Sequence, residues 1–329
     1  MKPCSVSCRV FLFPISKSGQ LKNNSYTRSA HIKDIYDLTM NLLDLRSMKM
    51  KRRIPFFLFF LLMGFQGFCT SDTLAFKPSI SRLIALGDSV LKLREDGLKD
   101  SLNSEFSKLL DSILYTPSGS SLSFYQVKSL SVAQDPSKKV KAITWMVSKK
   151  NGNEFQYFGY LITKLDPEKP AAITRLHQNK DLIRDELEFL KGDSSTWMGC
   201  IYYSVMAERY KKKDYFLLLG WAPQSFFTTR KMAEAISITP SKINLGVPVI
   251  KAGGKAKTRL ILEYNAQVST SLKYNESKKM IVMDHLSSSD PRPESKGMYQ
   301  LYGPDLSYDG LKFEKGLWIL QRDIDVRNK

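Results

Sequence analysis

The sequence is poor in the residues that build disulfides and transition-metal sites. Four cysteines and three histidines are spread over 329 residues. Cys4, Cys8 and Cys69 fall within the first 71 positions, so Cys200 stands alone in the remainder and an intramolecular disulfide framework is excluded there. The same remainder holds only His177 and His285, which excludes a zinc site built from Cys and His. Apolar runs of membrane-spanning length are also missing. Ile54–Phe68 contains Pro55, Gly64 and Gln66 and falls short of the ~20 apolar residues that a spanning helix requires.

That apolar run has a different meaning in its setting. It follows Met48-Lys49-Met50-Lys51-Arg52-Arg53 and precedes Gly67, Cys69, Thr70 and Ser71. A basic segment, an apolar segment and then small or polar residues form the pattern of a secretory signal peptide, and the cations hold its start on the cytoplasmic side. We therefore expect a signal peptide over residues 48–71, with cleavage after Cys69 or Ser71. Translation is expected to begin at Met48 or Met50, which makes residues 1–47 a mis-assigned, disordered upstream extension. A lipid anchor on Cys69 is the less favoured alternative, because Phe68 stands where lipoprotein processing wants a small residue. The expected location is the periplasm or cell surface, with no spanning helix left after cleavage.

Processing changes the charge balance. The first 71 residues hold 11 of the 50 Lys and Arg and 3 of the 32 Asp and Glu, which lowers the net charge from +18 to near +10. The excess lies in short runs such as Lys211-Lys212-Lys213 and Lys278-Lys279. A basic surface favours acidic partners, here an acidic envelope polymer or anionic lipid. Nucleic acid is not expected as a partner outside the cytoplasm. The remaining residues, about 258 of them, are ample for a substantial core.

Periodicity divides that remainder in two. Residues 72–117 read as a helical segment: Leu83, Ile84, Val90 and Leu91 mark one amphipathic stretch, and Leu98, Leu102, Phe106, Leu109, Leu110 and Ile113 a second. Gly97 is the expected break, and Thr116-Pro117-Ser118-Gly119 the end. From 118 to 329 the signals are those of strands. Ala142–Lys149 and Phe155–Thr163 flank an Asn-Gly turn at 151–152. Cys200–Tyr210 is expected to pair with Tyr215–Trp221, and Ser271–Tyr274 with Met280–His285. Ala233–Ile238, Arg259–Val268, Leu311–Glu314 and Leu317–Arg322 are further strands, and Asp181–Leu190 a helix. The expected fold is mainly β, an antiparallel meander with an N-terminal helical segment, α+β overall. Sandwich, open barrel and partial propeller remain open.

Three motifs invite chemistry. Arg82-Leu83-Ile84-Ala85-Leu86-Gly87-Asp88-Ser89 resembles the first block of GDS-type esterases, which would make Ser89 a nucleophile in need of a histidine. The family's later blocks are missing: Asn151-Gly152-Asn153-Glu154 has the wrong order, and Val282 stands where an aspartate should precede His285. Helical periodicity explains the segment without catalysis. The second motif is the C-terminal acidic and aromatic set Asp284-His285, Tyr302–Gly310 and Asp323-x-Asp325, in which Asp284, His285 and Asp305 are a cleft candidate for a hydrolase. Within it, Asp305-x-Ser307-x-Asp309-Gly310 imitates the opening of a calcium loop, but position 12 is Gly316 and the only nearby carboxylate, Glu314, lies two residues early. A looser calcium-like cation site is the residual possibility; a turn rich in Asp, Pro and Gly is favoured. Third, Lys251–Thr258 invites comparison with a phosphate loop, but Ala256 follows the Gly-Lys pair.

Aromatic residues crowd positions 197–227, from Trp197, Tyr202 and Tyr203 through Trp221 to Phe226 and Phe227. Strand cores use aromatics heavily, and exposed ones can grip sugars or peptides. Trp197, Trp221 and Tyr302, with Asp305 and Asp309, are the binding candidates.

Thr144-Trp145, Tyr157-Phe158-Gly159-Tyr160, Tyr202-Tyr203, Leu217–Trp221, Met283–Leu286 and Tyr302–Gly310 together resemble an uncharacterised exported family of Bacteroidetes-type bacteria. The resemblance implies an envelope location and carries over no functional residue. The expectation is an exported envelope protein acting as a non-catalytic binding or structural module, with a hydrolase using Ser89, or Asp284, His285 and Asp305, as the alternative.

Overall fold

A computed structural model describes residues 76–239 and 242–327. The expected start site, the signal segment 48–71 and Cys69 lie outside the described residues. Among the described residues, two α-helices come first: α1 (Lys77–Lys92) and α2 (Asp96–Leu114). Pro78 suits the first turn of α1 because its missing N–H has no partner to lose there. Leu83, Leu86 and Val90 bury one face of α1. On α2 the buried face runs through Asn103, Phe106, Leu110, Ile113 and Leu114, at spacings of three and four. The helices part at Leu93–Glu95 rather than at Gly97, which lies in the first turn of α2. Leu91 and Leu98, expected on the apolar faces, are 59% and 48% exposed beside that break.

Fourteen strands follow among the described residues, in three sheets. The first sheet has the order β1-β2-β3-β4, with β1 Ser131–Gln134, β2 Val140–Lys149, β3 Glu154–Thr163 and β4 Ala172–His177. The second runs β10-β7-β6-β5, from β5 Ile201–Tyr210, β6 Lys213–Pro223, β7 Thr228–Ile238 and β10 Arg259–Asn265, with β8 Ile243–Leu245 added to β7. The third is β11-β12-β13-β14-β9, from β9 Ile250–Lys251, β11 Leu272–Asn275, β12 Met280–Ser288, β13 Tyr302–Glu314 and β14 Leu317–Gln321. All pairings are antiparallel except that of β14 with β9. The protein is mainly β, its helices precede its strands, and no described sheet closes into a barrel.

Side-chain alternation stacks these elements in layers. On β2, Ala142 faces the second sheet while Ile143 and Trp145 face the helices. On β6, Phe216 and Leu218 pack toward the first sheet, and Leu217 and Leu219 toward the third. The second sheet is therefore covered on both faces, which explains why Leu217-Leu218-Leu219 is a continuous apolar run and not an alternating one. The helical layer docks through Trp145, whose indole N–H donates to Asn103 Oδ1 at 2.8 Å and whose ring stands edge-on to Phe106.

Residues 181–190 do not form the expected helix; only Arg184–Glu186 makes a single 3-10 turn. The end of the segment is instead held from outside, by the chain entering β10. Leu187 O and Leu190 O accept from the Arg259 guanidinium, and Glu188 O from Thr258 N at 2.7 Å. The expected turn at 302–310 is also corrected, because those residues form the first part of β13. The basic segment 251–258 is a turn between β9 and β10, with Gly253 and Gly254 at φ of 76° and 53°.

Candidate functional site

The acidic and histidine set gathers at a bulge between β12 and β13. Leu286 pairs with Pro304 and Asp284 with Tyr308, so His285 faces the three residues Asp305, Leu306 and Ser307. The surplus residues fold out: Leu306 adopts φ 73° and is 89% exposed. The Ser307 hydroxyl and amide both donate to Asp305 Oδ1, at 2.7 and 3.1 Å, and hold its carboxyl below the usual range.

Asp309 is the best-connected member. Its Oδ2 lies 3.0 Å from His285 Nδ1 and accepts from Arg322 at 3.3 Å, and its Oδ1 accepts the Asp323 amide at 3.2 Å. The carboxylate is almost enclosed, whereas the imidazole is about one-third exposed. His285 Nε2 is 4.0 Å from Asp305 Oδ2, outside hydrogen-bond distance. Asp309 thus orients an imidazole whose second nitrogen looks outward.

Asp284 does not join this set. Its Oδ2 accepts the Ser271 amide at 2.7 Å and ties the β10–β11 connection to β12. Ser89 is remote in kind as well: it sits inside α1, and its hydroxyl donates to Ala85 O at 2.8 Å. Its Gly87 neighbour is a packing residue, since a Cβ there would fall 2.1 Å from Ser129 Oγ. Trp197 is wholly buried and donates to the Tyr202 hydroxyl at 3.0 Å, which makes it a core side chain and not a surface anchor. Trp221 and Tyr302 are half-buried; Tyr302 packs on Tyr299 with ring centroids 5.6 Å apart.

The calcium-like reading takes a different form in the structure. Asp305 and Ser307 bond to each other, Asp309 turns to His285, and no group of three His, Cys, Asp or Glu among the described residues is arranged to hold a metal. Two adjoining depressions, of about 380 and 290 Å³, share Asp193 and Lys242 and are lined by none of the nominated residues.

Phe226 and Phe227, at the tip joining β6 to β7, are 53% and 67% exposed. The tip is tied down, with Phe226 N donating to Asn153 Oδ1 at 3.3 Å and Ala266 N to Phe227 O at 2.9 Å. The exposed Val268 lies on the same connection as Ala266 and borders Gly303. No protein-family model and no curated protein sequence matches the chain.

Proposed function

We propose that this chain is an exported protein of the cell envelope and that its β sheets form a non-catalytic binding or structural module. The observation that carries this reading is the Phe226–Phe227 tip. Two large rings left more than half in water by a bonded hairpin forgo burial worth about 1–2 kcal/mol each, and such surface is gained back when a partner covers it. The signal-like segment 48–71 and the excess of Lys and Arg support an envelope setting and an acidic polymer or lipid among its partners. Cell fractionation with N-terminal sequencing tests the reading. The native protein should be found outside the cytoplasm with its N-terminus beyond Met48. A cytoplasmic product retaining Cys4 and Cys8 would overturn it.

A hydrolase is the second reading, and the 3.0 Å His285–Asp309 contact favours it. An imidazole oriented by a carboxylate is half of a general-base device. Activity against ester, amide and glycoside substrates, abolished in His285→Asn, would establish it; inactivity of the wild-type chain on all three classes leaves the binding module standing.

A further inference from the structure

Lysine occupies backbone positions in this protein that ordinarily belong to glycine or asparagine. Lys211 and Lys212 form the two-residue loop between Tyr210 and Lys213, both with positive φ, 48° and 66°. That is the geometry for which Asn-Gly is the preferred pair. Lys315, at φ 49°, precedes Gly316 in the β13–β14 loop. Lys138 (φ 58°) closes the β1–β2 turn and Lys279 (φ 50°) the β11–β12 turn. A long side chain in the left-handed region is strained relative to glycine, and the same strain recurs in these four hairpins; a fifth such lysine, Lys150 (φ 46°) in the β2–β3 turn, differs in having a carboxylate partner, Glu154.

These four hairpins lie at one end of the strands. The Lys139 ammonium pairs with Asp214, which joins the β1–β2 turn to the β5–β6 turn. A Cβ on Gly316 would fall 2.9 Å from Tyr215 Oη and 3.3 Å from Tyr210 Cδ1, which places the β13–β14 turn against the same hairpin. Lys211, Lys212, Lys213, Lys138, Lys279 and Lys315 are exposed. Among the described residues, none of them has a carboxylate within ion-pair distance, while the nearby Asp214 and Glu314 are held by Lys139 with Arg209 and by Lys312. Two tyrosines back the cations: Lys211 Nζ stands 5.4 Å from the Tyr210 ring centre and Lys213 Nζ 5.2 Å from that of Tyr215.

We infer that this lysine-tipped end docks on an anionic lipid bilayer surface. Strain accepted at four turns to present the same ammonium group points to a role for the charge outside the fold. The cations stand on separate tips, and the surface depressions lie elsewhere, so the array meets a plane of headgroups better than a single polymer strand, which a groove would hold. Tyrosines beside the cations suit the interface between headgroups and water. The inference rests on the envelope reading, because it needs the protein to meet a membrane from outside the cytoplasm.

Sedimentation of the full chain with vesicles of equal phosphatidylglycerol and phosphatidylcholine, against phosphatidylcholine alone, tests it. Each lysine near an anionic surface contributes about fivefold in partitioning. Lys211→Asn with Lys212→Gly should therefore lower partitioning by more than tenfold and also raise Tm, since the turn is relieved of strain. Lys150→Asn, at the other end of β2, should leave partitioning unchanged. Equal binding to both vesicle types, or undiminished binding by the double variant, would overturn the inference. So would displacement of the chain from vesicles by polyglutamate at equal charge concentration, which would assign the site to a soluble polymer. If vesicle binding fails while fractionation finds the protein outside the cytoplasm, the lipid assignment falls and the envelope reading remains.

Discussion

Arg259 and Glu234 form an ion pair in the interior, 1% and 0% exposed, with Nε 2.6 Å from Oε1. The Tyr202 hydroxyl donates to the other Glu234 oxygen, and Trp197 donates in turn to Tyr202. The guanidinium also reaches Leu187 O and Leu190 O at 3.1 and 2.6 Å, so one side chain satisfies both the carboxylate and the irregular segment crossing the sheet.

Removing one partner leaves the other charge buried. Arg259→Met should cost about 3–5 kcal/mol of stability, read from urea unfolding. Pairing it with Glu234→Leu should recover part of that loss. The recovery should be incomplete, because the Leu187 and Leu190 carbonyls stay without a donor, and limited proteolysis should then cut within 182–192. Full recovery would show that those two contacts contribute little.

Gly87 and Ser89 belong to a packing surface, and their substitutions should separate accordingly. Gly87→Ala drives a Cβ against Ser129 and should destabilise by about 1–3 kcal/mol. Ser129→Gly should relieve most of it. Ser89→Ala removes only a hydroxyl bonded within its own helix and should change stability by about 0.5 kcal/mol or less. A large effect of Ser89→Ala on any activity would revive its role as a nucleophile.

Alkali should unfold this protein in a defined way. Burial, assisted by the Asp284 charge, raises Tyr264 to about 12, against an unfolded value near 10. Below pH 10 the full stability is present; above it the unfolded chain releases a proton that the folded chain keeps, so stability falls until the pH passes about 12. A single proton limits the slope from Tyr264 to about 1.4 kcal/mol per pH unit. Tyr264→Phe should flatten it and leave neutral-pH stability nearly unchanged. Burial raises Tyr157, Tyr160 and Tyr203 as well, so a residual slope is expected in the variant.

Glu154 contributes to the acid limb, alongside Asp325, Asp193, Asp290 and Asp305, whose carboxyls are also held down. Hydrogen bonds and charge from Lys150, then Lys180, hold Glu154 down to about 2. Its contribution is present above about pH 4.5 and lost as the pH falls through about 2. A Glu154→Gln variant should show weaker pH dependence in that window by thermal unfolding.

The hairpins were legible because their signals are local. Asn151-Gly152 and the polar turn at 275–279 lie between strands whose side chains alternate, and the structure pairs those strands in that register. The segment 181–190 is held instead by Arg259, about seventy residues away, which bonds Leu187 O and Leu190 O, and no local pattern records that tie. Tyr302–Gly310 forms a strand against its local turn signals for a related reason. Its Asp, Pro and Gly content signals a turn, yet Pro304 sits at the start of a strand where its missing N–H is tolerated, and a bulge absorbs the surplus residues. That bulge sets His285 against Asp309 across 24 positions, whereas Asp284, equally acidic and next in sequence, is directed to Ser271. Residue types nominated the set, but only strand register decided its membership.

The short parallel ladder between β9 and β14 also has a kinetic consequence. Ile250 pairs with Trp318, and the Trp318 amide donates to Val249 O at 2.8 Å, so the third sheet gains its final edge only when the last strand arrives. Contacts of such sequence separation raise the entropy that must be lost before they form. Until β14 has been made, β9 lacks its partner strand and the outer face of the central sheet stays incompletely covered, which leaves an interval in which a chaperone can hold the nascent chain open.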